Sequence, residues 1–141
     1  MSMELHVLLA KSRLPDVRQW QAAIDALDFD VKLDPSLAVE IGRGFLPAKF
    51  KGRDSGFEFT VWPASDITDT YPEFASQFAG RDRAASFRWG GDLIEMACAL
   101  VASAALAQLS DGVWFDPQEG ACFDAAGALE QAKSGVAAAE S

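Results

Sequence analysis

Between Asp92 and Gly112 runs a stretch that limits what the rest of the chain can be: LIEMACALVASAALAQL, broken only by Glu95, Ser103 and Gln108. A helix apolar on nearly every side has to be enclosed, by protein or by lipid. Residues 93–109 are alanine-rich, hold a glutamate and fall short of the roughly 20 strongly apolar residues that a membrane span takes. The stretch is therefore expected as the central core helix of a folded domain. Its alanines let another backbone approach closely. Asp92 stands at an N-cap position with Glu95 at capping-box spacing, and Ser110-Asp111-Gly112 offers Gly112 as the left-handed closing residue. The predicted helix covers residues 92–109.

Strands are expected on both sides of it. Residues 84–89 set Ala85, Phe87 and Trp89 against Ser86 and Arg88, the period of a half-buried strand. Val113-Trp114-Phe115 is a short apolar strand, stopped by the turn Asp116-Pro117-Gln118-Glu119-Gly120. Near the start, residues 4–10 put Leu5, Val7 and Leu9 on one face and His6 and Leu8 on the other, as in a central strand covered on both sides. Pro15 and Asp16 open a helix with the stripe Val17, Trp20, Ile24 and Leu27, in which Trp20 is the largest anchor. Residues 29–33 read as an edge strand and residues 37–41 as its extension or repeat. The glycine-rich residues 42–56 are expected as loop, with a short strand at 48–51. Residues 57–62 alternate clearly, Phe57, Phe59 and Val61 against Glu58, Thr60 and Trp62. Within the connection 63–83, Thr70, Pro72, Glu73, Phe74, Phe78 and Gly80 predict a two-turn helix. Asp124 caps a last helix over residues 125–133.

This order of elements places the chain in the α+β class, a mainly antiparallel sheet with two main helices packed on it. A ferredoxin-like βαββαβ core fits if residues 57–62 and 84–89 are the two strands before the long helix, with the strand near residue 31 as an extra. These two strands favour one register. Antiparallel pairing of residues whose numbers sum to 146 sets Phe59 opposite Phe87 and Val61 opposite Ala85, with Glu58 opposite Arg88 and Thr60 opposite Ser86 on the other face. A slip of one residue would bring phenylalanine opposite arginine. Residues 1–133 are expected as a single domain and residues 134–141 as a flexible tail without an anchor.

The formal charge of −9 is unevenly spread: residues 1–89 hold 13 acids and 11 Lys/Arg, whereas residues 90–141 hold eight acids and only Lys133. Nucleic-acid binding through a basic face is disfavoured. An acidic surface that steers a basic protein partner is the functional alternative to solubility alone. The chain opens on no charged-then-apolar leader and carries no expected membrane span, so its expected address is the cytoplasm. Cys98 and Cys122 show neither metal-ligand nor disulfide spacing and are expected as buried thiols. His6, the only histidine, is expected as a packed or hydrogen-bonded ring. No nucleophile elbow, Walker loop, dinucleotide fingerprint or HExxH is present, so no catalytic residue and no cofactor is expected. Asp111, Asp116, Glu119 and Asp124 match no EF-hand loop, and turn and cap roles account for Asp116 and Asp124, so no metal site is expected either.

The side chains suited to binding are Trp62, Tyr71, Arg81, Arg83, Arg88 and Trp89, all in or beside the connection 63–83. Aromatics and arginines are the residue types that dominate interface hot spots. Asp111, Asp116 and Glu119 join them as candidates from the acidic C-terminal third. The phrases Gly44-Phe45-Leu46-Pro47, Gly56-Phe57-Glu58-Phe59 and Gly112-Val113-Trp114-Phe115-Asp116-Pro117-Gln118 resemble small acidic uncharacterised bacterial proteins, some of which are similar to immunity proteins that neutralise toxins in trans. That resemblance carries no functional residue across. The sequence thus points to a non-enzymatic cytoplasmic binding module, immunity-like, that meets a basic protein. The second reading is a small-molecule-binding protein or minor enzyme with its pocket between Trp62, Arg88 and the connection 63–83.

Overall fold

The computed structural model describes residues 3–140 and runs β1 (Met3–Leu9), α1 (Val17–Ala26), β2 (Val31–Leu33), β3 (Phe45–Phe50), β4 (Arg53–Pro63), α2 (Ser65–Thr70), β5 (Arg83–Trp89), α3 (Leu93–Ser110), β6 (Val113–Asp116), β7 (Ala121–Phe123) and α4 (Ala125–Glu140). The strands form one sheet in the order β2-β3-β4-β5-β1-β6-β7, antiparallel throughout. Its four central strands, β4-β5-β1-β6, with α1 leaving β1 and α3 joining β5 to β6, have the order and directions of a ferredoxin-like βαββαβ core. The extra strand near residue 31 finds its place here. It pairs with β3 as an insertion between α1 and β4, which widens the sheet beyond β4.

β4 and β5 pair in the register expected from their sequences: Glu58 faces Arg88, Phe59 faces Phe87, Thr60 faces Ser86 and Val61 faces Ala85. Phe57, Phe59 and Phe87 cluster with Trp20 of α1, ring centroids 5.1–6.0 Å apart. Trp20 is fully buried and donates its indole N–H to the Ala102 carbonyl of α3 at 2.8 Å. α1 starts as expected, with Asp16 and Gln19 forming a reciprocal capping box.

α3 lies between the sheet, α1 and α4. It is long and apolar enough to pass for a membrane span, with mean hydropathy 1.7, yet 61% of it is buried inside the protein. Asp92 accepts from the backbone N–H of Ile94 at 2.7 Å, and Glu95 reaches back to the N–H of Gly90 at 3.2 Å. The closing residue is not the expected Gly112. Asp111 takes the left-handed conformation, φ 54°, while a β-carbon on Gly112 would lie 2.9 Å from the Leu8 carbonyl oxygen of β1.

Three other expectations change. Residues 42–56 are not mainly loop, because Leu46, Ala48 and Phe50 alternate inward against Phe45, Pro47 and Lys49 to make β3. The turn into β4 has Lys51 and Gly52 both at positive φ, 51° and 80°, the geometry of a tight hairpin. The helix expected at Thr70–Phe78 gives way to α2 five residues earlier and a 3-10 turn at Pro72–Phe74. Pro72 forces Tyr71 out of the helical region, to φ −126° and ψ 64°. Finally, α4 does not end at Lys133. Residues 134–140 form its last two turns, with Ala128, Ala132 and Gly135 buried and Gly135 lying against Leu100 of α3; Ser141 falls outside the described residues.

The edge strand β2 is covered by one side chain. Gln21 of α1 donates to the Val31 carbonyl and accepts from the Leu33 N–H, both at 2.8 Å, standing in for a neighbouring strand. Gln21→Ala is expected to cost about 1–2 kcal/mol for the two bonds. It should also introduce concentration-dependent association on heating, which thermal scans at several protein concentrations would detect. A concentration-independent transition would mean that the edge needs no cover.

Candidate functional site

The two faces of the sheet are treated differently by the rest of the chain. One is buried under α1 and α3, and Trp89 belongs to it, at 8% exposure, so it presents nothing to a ligand. On the other face, the segment 64–80 covers Leu8, Ala84 and Phe115 with Ala64, Ile67 and Phe78, leaving the rest open. Tyr71 joins this small second core, edge-on to Phe115 at 5.1 Å. Burial, then the charges of Glu4 and Glu73, raise its phenol above the ordinary value.

On the open half the strand registers line up rows of side chains. One row runs Phe45, Glu58, Arg88, Glu4 across β3, β4, β5 and β1. The next runs Thr60, Ser86, His6, Phe115, and Trp62 stands in a third, opposite Ala84. Between the rows lies a cleft of about 190 Å³ lined by Glu4, Gly44, Glu58, Thr60, Trp62, Ser86 and Arg88. A wider groove of about 540 Å³ lies on the far side of Phe45, between Lys32, Pro35, Pro47, Lys49 and Asp54. Phe45 and Trp62 are 63% and 39% exposed. Phe45 lies across Gly56, where any β-carbon would sit 2.4 Å from the ring.

The floor of the cleft is a connected polar network. Trp62 donates its indole N–H to Ser86 Oγ at 2.8 Å, and Ser86 Oγ lies 2.5 Å from His6 Nδ1. The His6 ring is buried, stacks on Phe115 at 6.2 Å, and holds Nε2 4.0 Å from Glu4 Oε1. Ser86 Oγ accepts from Trp62 and keeps both its own hydrogen and a second lone pair, so the direction of its bond to His6 Nδ1 follows the imidazole tautomer; with the ring proton on Nε2, toward Glu4, Ser86 is the donor.

No protein-family model matches the chain, and neither a curated protein nor a solved structure shows significant similarity to it.

Of the residues singled out in the sequence, the structure brings Trp62 and Arg88 to one cleft. Its remaining walls come from other residues of β4 and β5, from Glu4 of β1 and from Gly44, not from the connection 63–83, which is occupied on the other half of the face. Arg81 lies at the opposite end of the strands, where it donates to the carbonyls of Ala79 and Asp111 and so offsets the negative end of α3. Arg83 starts β5 and donates to the Asp82 carbonyl. Asp116 accepts from the N–H groups of Gln118 and Glu119 in the β6–β7 turn, away from Asp111. Among the described residues no group of three or more His, Cys, Asp or Glu converges on a metal position. Cys98 is buried, which pushes its thiol up to about 11, and Cys122 is half-buried. The sequence reading missed Glu4, Thr60, Ser86 and Phe45. The alternation of Glu4, Thr60 and Ser86 was visible, but their convergence depends on β1 lying beside β5, and Phe45 belongs to β3, which was read as loop.

Burial lowers the His6 pKa from 6.5 to about 4. The unfolded chain therefore takes up this proton first as pH falls. The His6 contribution to stability is complete above about pH 6.5 and is lost progressively toward pH 4. Unfolding midpoints over that range should fall less steeply in His6→Gln than in the native chain. Identical slopes would show that the ring is not held neutral.

Proposed function

We propose that this chain is a binding module that engages a basic protein through the open half of its sheet, with Trp62 and Phe45 as apolar anchors. The observation that carries this reading is the asymmetry of the second sheet face. Half of it is sealed by residues 64–80, while two large aromatics stay exposed on the other half beside the row Glu58, Arg88, Glu4. Aromatic side chains ringed by polar groups are the usual centre of an interface hot spot. The net charge of −9, with Glu4, Glu58 and Glu73 near this face, favours a partner of positive charge and faster encounter at low salt. This is the behaviour of an immunity-like protein acting in the cytoplasm, and it calls for no nucleic acid, membrane or cofactor.

Affinity capture from the native cell tests it. The expected result is a stoichiometric basic protein released by salt. Trp62→Ala should bind that protein about thirtyfold more weakly, the effect of a hot-spot residue. Glu119→Lys, at the β6–β7 turn, should slow association and flatten its salt dependence without a comparable change in dissociation. A partner bound equally by the native chain and by a Trp62→Ala, Phe45→Ser double variant would move the interface elsewhere.

A further inference from the structure

The network under the cleft has the parts of a nucleophilic site, and the binding reading makes no use of its Ser86 and His6. A serine hydroxyl oxygen lies 2.5 Å from Nδ1 of the only imidazole in the chain, the geometry in which it donates when the ring carries its proton on Nε2. The far nitrogen of that imidazole faces a carboxylate at 4.0 Å. An indole N–H fixes the serine oxygen from a third direction at 2.8 Å, and the serine lines a cleft that opens to solvent. Nucleophile, base and orienting acid come from β5 and β1, neighbouring strands at the centre of the sheet, so their spacing is set by the ladder Ser86–His6 and Arg88–Glu4. Catalytic hydrogen bonds in unliganded sites are often long, and the Glu4 distance falls in that range.

We propose that Ser86 is an activated serine that accepts an acyl group from a short ester, with His6 as its base and Glu4 as the residue that positions the imidazole. Ser86 Oγ bonds to the ester carbonyl carbon as its proton passes to His6 Nδ1. The bond from that carbon to the leaving oxygen then breaks, and the alcohol departs with the proton from His6 Nδ1. Water repeats the sequence on the acyl-serine and releases the carboxylic acid, so no other reactant is required. A cleft of about 190 Å³ admits an acyl group of only a few carbons. Glu4 and Glu58 flank Arg88 and leave the rim net negative, which favours neutral or cationic esters over anionic ones. Arg88 has no ion pair among the described residues, and it lies on the same face two residues along from Ser86. It is the cation on hand for a developing oxyanion. The charged group beside His6 is Glu4 from its own strand; Arg88 stands one rung away, opposite Glu4 on β5, and Tyr71 packs on Phe115, the ring that His6 also stacks against.

The test uses the full chain with a fluorophosphonate probe and with p-nitrophenyl acetate. The expected result is covalent labelling mapped to Ser86 by peptide mass spectrometry, a stoichiometric release of nitrophenol, and loss of both in Ser86→Ala. His6→Gln should slow labelling by about a hundredfold, the contribution of a general base. Glu4→Gln should slow it as well and Glu4→Asp should restore it. Mapping on the native chain does not depend on any variant folding. Label absent from Ser86, or a labelling rate in folded His6→Gln equal to that of the native chain, overturns the proposal. Partner capture is measured on the native chain without any ester, and labelling is measured without any partner. The two proposals therefore fail separately.

Discussion

Trp20→Ala is expected to lower the unfolding free energy by about 3–5 kcal/mol, as removal of a fully buried tryptophan does. A domain of this size is stable by roughly 5–15 kcal/mol in all, so one substitution would remove about a fifth of the total at the least. Two effects combine at this position. The ring fills the space over Phe59 and Phe87, with centroids 5.1 and 6.0 Å away, and little nearby can collapse into the void. The indole N–H is also bonded to the Ala102 carbonyl, which ties α1 to the middle of α3. Trp20→Phe separates these effects. It keeps most of the ring contact and drops the hydrogen bond, and because that carbonyl already belongs to the helix the loss should be nearer 1 kcal/mol. Denaturant unfolding of both variants checks the pair. A loss below about 1 kcal/mol for the alanine variant would mean that α1 is held by something else.

Where the amino-acid pattern was local, the fold was legible. Alternation in residues 57–62 and 84–89 was strong on both faces, and the register with Glu58 opposite Arg88 followed from matching those faces. β3 was hidden for a physical reason. Pro47 stands inside the strand, glycines flank it, and its buried members include Ala48, whose small side chain is a weak apolar signal. The end of α4 was hidden for a related reason. Its packing against α3 is made by small residues, Ala128, Ala132 and Gly135, whose role is close approach rather than hydrophobic area. The site was half legible. Trp62 and Arg88 stood out as residue types, but Ser86, His6 and Glu4 gain chemical meaning only once β1 is known to lie against β5. A long-range strand neighbour of this kind leaves no mark in any single window of sequence.

The same small-residue packing makes α3 the most sensitive element to added volume. Ala97 and Ala104 are 0% and 1% exposed, and the helix around them is enclosed by sheet, α1 and α4. Leucine at either position must place three further carbons where no space is open, and overpacking of this kind costs about 1–3 kcal/mol. The positions are seven residues apart, about 10 Å along the helix, so the two costs should nearly add. The double variant Ala97→Leu, Ala104→Leu is thus expected to lose about 2–6 kcal/mol. That happens although each change raises the hydrophobicity of the helix and barely alters its intrinsic propensity. The sign is the informative part. If α3 were stabilised mainly by apolar area, as in a lipid-facing or loosely packed helix, leucine would be neutral or favourable. If its stability rests on close backbone approach, leucine is destabilising at both sites. Thermal and denaturant unfolding of the two single variants and the double variant decide between them, and a double variant as stable as the native chain would show that α3 is not the tightly enclosed centre of the fold.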